Sequence, residues 1–266
     1  MKFVKMHGLS NDYIFADTFT QKGPADPAAA AMRLSRPHTG IGADGLILIE
    51  PTEEADARMR IFNADGSEAE ICGNGIRCAA RYLYDSGLCR RDEMRILTGA
   101  GLKTIRLETE AGVVQSATVD MGEPTIIHRK IELSAAGRTL NFVCVSMGNP
   151  HAVTFEESGW GREFYALGPA FEMHEAFPNR SNIEFTEVLA KDHLRVRVWE
   201  RGSGETMACG SGACAALVAA VTDGRTARKA KVELPGGTLD IEWQEDNHVM
   251  MTGPATTVFS GEVNID

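Results

Sequence analysis

The sequence predicts an α+β protein made of two duplicated α/β domains related by a pseudo-twofold, each with one central helix. An internal repeat, strand-like segments in both halves and one helix per half that ends at glycine together predict this class. The chain has 266 residues, enough for two domains of ordinary size. We expect a first domain at residues 1–115, a second at 116–254, and a return of residues 255–266 to the first domain as a strand.

The repeat joins two segments that each contain Cys-Gly-x-Gly. RIFNADGSEAEICGNG aligns without a gap on RVWERGSGETMACGSG after a shift of 137 positions, which places Cys72 on Cys209. A slightly different offset aligns SNDYIF with GNPHAV and places Asn11 on Asn149. A period this long indicates a duplicated domain rather than a solenoid.

Hydrophobic periodicity predicts the main elements of both halves. RMRIF and RVRVW alternate as strands do, and TVDMG, NFVCVSMG, KVELPGG and HVMMTG are further predicted strands. IRCAARYLYDSG is predicted to be a helix that ends at Gly87, and ACAALVAAVTDG its counterpart that ends at Gly224. The second helix is apolar nearly all round, so we expect it to be buried on all sides, as it would be inside a strongly curved sheet.

Composition and charge exclude several classes of protein. The chain is 43% hydrophobic and 24% charged, which is typical of a soluble globular protein. Its net charge of −10 argues against nucleic acid or an anionic membrane as the main partner. The longest uncharged apolar run, ACAALVAAV, is too short to span a bilayer, and the N-terminus lacks the apolar core of a signal peptide. We therefore expect a cytoplasmic protein.

Each Cys-Gly-x-Gly places a cysteine just before a helix N-terminus. The free N–H groups and the helix dipole there favour negative charge, so we expect a lowered pKa for both thiols. The glycine backbone can also approach and bind a carboxylate. If the duplicated halves face each other, one thiolate removes an α-proton and the other thiol returns a proton from the opposite face. This chemistry inverts a stereocentre beside a carboxylate.

The spacing of the cysteines and glycines bears on several other roles. The spacing around Cys72 and Cys209 is not a zinc spacing, so we expect no metal site. A disulfide between these two residues is conceivable, although no Cys-x-x-Cys is present. GIGADG precedes a predicted strand instead of following one, which argues against a dinucleotide site. Core packing is assigned to Cys78, Cys89, Cys144 and Cys214.

Three motifs together, FNADGSEAEICGNG, SMGNPHAV and ERGSGETMACGSGA, resemble the signatures of the diaminopimelate epimerase family. The similarity covers nearly the whole chain. It implies two similar domains, each a mixed β-sheet rolled around a central helix. It also implies cofactor-independent epimerisation of LL-diaminopimelate to meso-diaminopimelate, in lysine and peptidoglycan precursor biosynthesis, by a homodimer that needs no pyridoxal phosphate.

The resemblance assigns roles position by position. Cys72 and Cys209 match the two catalytic cysteines, and His151 and Glu200 match residues beside the reacting amino group. The residues that match substrate ligands are Asn11, Asn63, Gly73, Asn74, Asn149, Asn182, Glu200, Arg201, Gly210 and Ser211. These roles are physically reasonable, because Arg201 with two amides suits a distal carboxylate and Glu200 suits an ammonium.

Two positions depart from the pattern of some family members, which have Gln where this chain has Gly45 and Gly where it has Ser10. Two alternatives therefore stay open. One is a racemase of the same superfamily that acts on another amino acid, such as histidine or proline. The other is a binding module without catalytic activity. A monocarboxylate would leave Arg201 unpaired, and a binding module has no need of two activated thiols.

Overall fold

The computed structural model describes residues 1–155 and 160–265. The chain forms two compact units, Met1–Val119 with Gly253–Asp266, and Asp120–Thr252. The elements of the first part of the chain are β1 Lys2–Gly8, β2 Asn11–Asp17, α1 Pro27–Leu34, β3 Gly45–Glu50, β4 Ala57–Asn63, β5 Glu68–Ala69, α2 Gly73–Asp85, β6 Glu93–Thr98, β7 Gly101–Glu110 and β8 Val113–Asp120. Those that follow are β9 Thr125–Ala135, β10 Arg138–Ser146, β11 Pro150–Phe155, α3 Phe164–Glu172, β12 Asn182–Ala190, β13 His193–Glu200, β14 Gly204–Thr206, α4 Gly210–Thr222, β15 Lys229–Leu234, β16 Gly237–Trp243, β17 Val249–Gly253 and β18 Thr256–Glu262.

The first unit is built on a mixed sheet with the order β18-β1-β2-β3-β4-β6-β7-β8. Its β2–β3 and β4–β6 pairs are parallel and the others are antiparallel, while the short β5 pairs with β4. The segment at the end of the chain, β18, pairs with the first strand, β1.

The second unit repeats this topology in the order β9-β10-β11-β12-β13-β15-β16-β17, with β14 paired to β13. Its parallel pairs, β11–β12 and β13–β15, correspond to those of the first unit. The strand β9 takes the place that β18 takes in the first unit. The predicted α+β class, with a mixed sheet and a central helix in each half, is confirmed.

Each unit packs one long helix against its own sheet. In the first unit α2 contacts β1, β2, β6 and β7, and in the second unit α4 contacts β10, β11, β12, β13, β15 and β16. Every residue of α4 from Gly212 to Ala220 is buried, which confirms the prediction of a helix buried on all sides. Both helices end just before the predicted glycines. Gly87 and Gly224 have φ angles of 77° and 70°, in the left-handed region that stops a helix. None of the helices in the parts of the chain that the structure describes is long and apolar enough to cross a membrane.

Of the four cysteines assigned to the core, three are buried and one is half-buried. Cys78, Cys144 and Cys214 are buried, as predicted. Cys89 is only half-buried, so its assignment to the core was wrong. The reason is its place in the loop after α2, outside the element that packs on the sheet.

The largest fully buried side chain in the first unit is a cation, Arg77 of α2. Its guanidinium donates to Gly73 O at 3.0 Å, to Asn74 Oδ1 at 2.8 Å and to Pro254 O at 3.2 Å. These bonds join the first turn of α2 to the segment before β18. A buried cation is tolerated only when its donors are satisfied, so this residue is a structural centre of the unit.

Replacing Arg77 with alanine is expected to lower the free energy of unfolding by about 3 kcal/mol, because buried acceptors lose their charged donor and a cavity remains. Urea unfolding followed by intrinsic fluorescence measures the change. The control is Arg58→Ala, which removes the same charge from an exposed residue. A loss as small as that of the control would contradict this role for Arg77.

Candidate active site

Each cysteine of the repeat is the N-cap residue of a central helix. Cys72 precedes α2, and its Sγ accepts a hydrogen bond from Gly75 N at 3.3 Å. Cys209 precedes α4, and its Sγ accepts from Gly212 N at 3.4 Å. The thiol therefore takes the place that a Ser, Thr or Asp side chain usually takes at a helix start.

Both helices begin earlier than predicted, at Gly73 and Gly210, so the glycines of the motif form the first helical turn. The thiol cap explains the difference, because it satisfies a free N–H of that turn. A Cβ on Gly75 would lie 2.7 Å from Ile47 Cδ1, so glycine permits the close approach of this turn to the sheet. The first residues of these turns, Gly73 and Gly210, place backbone N–H groups at a helix N-terminus, where such donors bind anions.

The first unit brings three of the predicted residues together. Cys72 Sγ donates to Asn11 Oδ1 at 3.2 Å, and Asn74 Nδ2 donates to the same oxygen at 3.4 Å. Asn11 Nδ2 in turn donates to Asp44 Oδ2 at 2.7 Å. This bond fixes the orientation of the Asn11 amide, whose oxygen then faces the thiol.

Tyr13 also belongs to this group, although no sequence pattern singled it out. Its side chain is buried and interacts with Cys72 and Asn11. The nearby sulfur and burial both raise the pKa of Tyr13, so its hydroxyl stays protonated and remains a donor to the sulfur. The offset that aligns SNDYIF with GNPHAV places Tyr13 on His151, and this alignment was a signal that would have identified it.

The second unit connects four predicted residues. Cys209 Sγ lies 3.6 Å from Ser211 Oγ, and Asn149 Nδ2 donates to that hydroxyl at 3.4 Å. His151 Nε2 lies 3.0 Å from Asn149 Oδ1. A continuous chain of polar contacts thus runs from the imidazole to the first turn of α4.

The prediction of a lowered thiol pKa is wrong for Cys209. Burial raises the pKa of this thiol well above its ordinary value, and the carboxylates of Glu200 and Glu184 raise it further. These effects outweigh the helix N-terminus, because a thiolate at this position would be desolvated and would face two negative groups. Glu200 lies at the end of β13 and accepts a hydrogen bond from Thr206 Oγ1.

The amide of Asn182 is held by backbone groups on both sides. Its Nδ2 donates to Pro150 O at 2.8 Å, and its Oδ1 accepts from Arg201 N at 2.9 Å. The guanidinium of Arg201 donates to Asn179 O at 3.3 Å. Asn182 therefore positions the backbone of Arg201, and the direct ligand role that the resemblance implies for it stays a prediction.

Asn63 ends β4, and its Nδ2 donates to Ser67 Oγ at 3.0 Å within a turn. It pairs in register with Gly45, where a Cβ would collide with Phe62 O, so a larger residue there needs a different local backbone. Ser10 has a φ of 68°, in the left-handed region that favours the glycine of other family members.

A cavity of about 630 Å³ opens in the second unit beside β10 and β11. Its lining includes two histidines and two arginines, which are His128, His151, Arg180 and Arg201. The lining is thus rich in donors for an anionic group.

Glu184 is the other site residue that sequence reasoning missed. It lies on β12, is fully buried, and its Oε1 lies 2.7 Å from His151 Nδ1. The shift of 137 positions places it on Ile47, and this change from an apolar residue to a buried carboxylate was the available signal.

Comparisons with known proteins identify the family of the chain. The sequence profile of the family described as "Diaminopimelate epimerase" matches residues 3–127 and 143–258. Two relatives named diaminopimelate epimerase, from Methanococcus maripaludis and Moorella thermoacetica, are 49% and 50% identical, and each alignment covers 100% of both chains.

Solved structures of low sequence identity share the fold. A probable proline racemase from Agrobacterium radiobacter, 16% identical, has a TM-score of 0.75 and covers 100% of this chain and 93% of its own. A hydroxyproline epimerase from Agrobacterium vitis, also 16% identical, has a TM-score of 0.73 and covers 98% of this chain and 91% of its own.

Proposed function

The chain belongs to the diaminopimelate epimerase family, and we infer that it is an isomerase that converts LL-diaminopimelate to meso-diaminopimelate in lysine biosynthesis. The observation that carries the mechanism is the repeated thiol N-cap. In each unit a cysteine, Cys72 or Cys209, accepts a hydrogen bond from the first turn of a central helix. We therefore assign one of the two catalytic cysteines to each unit.

The reaction exchanges one proton at the α-carbon and needs no cofactor. One thiolate removes the α-proton, so that the C–H bond breaks, an S–H bond forms and the electron pair spreads onto the carboxylate. The other thiol then gives its proton to the opposite face of the carbon. The first turns of α2 and α4, with Gly73, Asn74, Gly210 and Ser211, supply N–H donors that stabilise the charge on the carboxylate.

The raised pKa of Cys209 favours a protonated thiol in the resting enzyme. Cys209 is then the proton donor in the direction that starts with Cys72 as the base. Tyr13, whose hydroxyl interacts with Cys72, stabilises a thiolate at that residue by donating to it. The same pair of residues exchanges roles in the reverse direction.

The remaining residues recognise the two amino-acid groups of the substrate. His151 and Glu200 are assigned to positions beside the reacting amino group, with Glu200 as its acceptor and Asn11 and Asn149 as further ligands. Arg201 is assigned to the distal carboxylate, because it lines the cation-rich cavity of the second unit. Asn182 supports it through its backbone N–H, and Asn63 is assigned to the same distal group.

Proton NMR of LL-diaminopimelate in D2O with the reduced protein and no added cofactor tests the proposal. Loss of the α-proton signal, with deuterium in the meso product, is the expected result. Parallel samples contain L-histidine or L-proline. Exchange of one of these instead of diaminopimelate would keep the two-thiol chemistry and overturn the substrate, and no exchange of any of them would favour the binding module.

A homodimer in the cytoplasm completes the proposal. Strand β18 exposes two large apolar side chains, Val258 and Phe259, which is the kind of surface that self-association covers. Light scattering coupled to size-exclusion chromatography is expected to give twice the mass of one 28.8 kDa chain. A single-chain mass at micromolar concentration would contradict the dimer.

A further inference from the structure

We propose that Glu184 is a positioning residue that acts on proton exchange at Cys209 through His151 and Asn149. The inference rests on the proposed function, in which Cys209 is one of the two acid–base groups. In the part of the chain that the structure describes, Glu184 makes no hydrogen bond to the thiol, and in this proposal it does not contact the substrate. It holds the imidazole from the side opposite to Asn149.

The geometry is that of a buried carboxylate–imidazole pair. The side chains of Glu184 and His151 are both 0% exposed, and Oε1 lies 2.7 Å from Nδ1. On the other side of the ring, Nε2 lies 3.0 Å from Asn149 Oδ1, and Asn149 Nδ2 donates to Ser211 Oγ at 3.4 Å. Ser211 Oγ is 3.6 Å from Cys209 Sγ, so the contacts are continuous from the carboxylate to the thiol.

The contacts also assign the protons of the pair. Each ring nitrogen faces an oxygen, and Asn149 directs its Nδ2 at Ser211, so its Oδ1 is the acceptor for an Nε2–H. A second proton lies between Nδ1 and Glu184 Oε1. The imidazole is therefore fixed in orientation by an oxygen at each of its two nitrogens.

The duplicated fold shows that a carboxylate is not needed here for packing. Ile47 occupies the corresponding position on β3, and its Cδ1 would lie 2.7 Å from a Cβ on Gly75. Glu184 Oε1 would lie 2.9 Å from a Cβ on Gly212, at the same place in the first turn of α4. In the first unit an apolar side chain thus fills the space beside the first helical turn. The residue that corresponds to His151 also differs between the units, because the first unit has Tyr13 at that position.

Keeping a carboxylate in this position is costly. Burial raises the pKa of Glu184, and among the residues that the structure describes its Oε2 has no hydrogen-bond partner. The hydrogen bond to His151 offsets part of this desolvation cost.

Four titratable groups face Glu184 from the elements around it. They are His151 on β11, Glu200 on β13, Cys209 before α4 and Cys144 on β10. Removing the carboxylate removes the oxygen that orients the imidazole of His151 at Nδ1. It also removes one negative neighbour of Cys209, so that the thiol of Cys209 ionises at lower pH. This second change moves the alkaline limb of the pH–rate profile to lower pH.

The test is Glu184→Gln, which keeps the shape of the side chain. We expect kcat for diaminopimelate to fall about tenfold or more with KM changed much less, and the alkaline limb of kcat/KM to move down by about one pH unit. Nitrogen-15 NMR of the imidazoles should show that His151 carries a proton on Nε2 in the wild type and that the signal of its Nδ1 changes in the variant, where the carboxylate is absent. The His151 signals are assigned among the seven histidines by their absence from the His151→Gln spectrum.

The matched control is Glu233→Gln. Glu233 Oε1 lies 2.8 Å from His193 Nε2 in a second His–carboxylate pair, where both side chains are about one-third exposed. The control changes the same atoms at a distance from the thiols, so its kcat and pH profile should match those of the wild type. A Glu184→Gln variant that behaves like the control would overturn the proposal.

Glu184→Ile provides a second variant, because it copies the residue of the other unit. If it folds with wild-type melting temperature and retains full kcat, the carboxylate has no positioning role and the proposal fails. The imidazole spectra are recorded on the free protein, so they test the pair independently of the substrate. Failure of the proposed function would instead appear in the wild type, as an absence of exchange with diaminopimelate.

Discussion

Replacing either Cys72 or Cys209 with alanine is expected to lower kcat for epimerisation by about a thousandfold or more, because each side chain carries one of the two proton transfers. Alanine removes the acid–base atom and the N-cap acceptor but leaves the volume of the site almost unchanged. Following the α-proton signal in D2O together with the configuration of the product measures both steps. Each variant should fail to convert LL- to meso-diaminopimelate.

Cys78→Ala is the matched control for this prediction. Cys78 lies in α2, nearly two turns beyond the N-cap Cys72, and is fully buried. Burial raises the pKa of its thiol to about 12, so it takes no part in proton transfer at neutral pH. Its loss should leave kcat within a few-fold of the wild type. Turnover in Cys72→Ala or Cys209→Ala close to that of the control would contradict the two-base mechanism.

Replacing Arg201 with leucine is expected to lower kcat/KM for diaminopimelate by about a hundredfold, or about 3 kcal/mol, because the distal carboxylate loses a charge-assisted partner. The backbone of Arg201 stays in place, since Asn182 Oδ1 binds its N–H and not its side chain. Steady-state kinetics with LL-diaminopimelate measures the effect. Most of it should appear in KM, because this group is distant from the reacting carbon.

The control for Arg201 is Arg195→Leu on β13. Arg195 is half-exposed and pairs with Glu187 and Glu233, so its loss removes the same charge from the same unit without touching the cavity. Its kinetics should be those of the wild type. Equal kcat/KM values for the two variants would contradict the assignment of Arg201 to the distal carboxylate and would favour a substrate with a single carboxylate.

Local sequence patterns predicted the elements that carry the thiols. The repeat placed Cys72 on Cys209. The alternating strands before the two central helices, α2 and α4, and the glycines after them marked where these helices lie. The starts of the helices were predicted three residues late, at Ile76 and Ala213, because a thiol is not among the usual N-cap signals. Such patterns are visible because they depend on neighbours within one or two turns.

The pKa of Cys209 shows where local patterns are insufficient. A helix N-terminus lowers a thiol pKa, and that part of the argument is contained in CGSGA. Burial of the thiol reverses the direction, and the carboxylates of Glu200 on β13 and Glu184 on β12 raise the pKa further. Their distance from the thiol depends on how the strands surround α4, and no spacing along the chain records it.

The sequence alone determined the duplication, the family, the apolar helix α4 and the presence of a cysteine at the start of each central helix. These features follow from residue identity and short-range periodicity. Only the tertiary structure decided that Asn182 holds the backbone of Arg201, and that a buried carboxylate on β12 pairs with His151 on β11. Those roles depend on burial and on contacts between strands far apart in the chain, because desolvation and nearby charge decide what a polar side chain does.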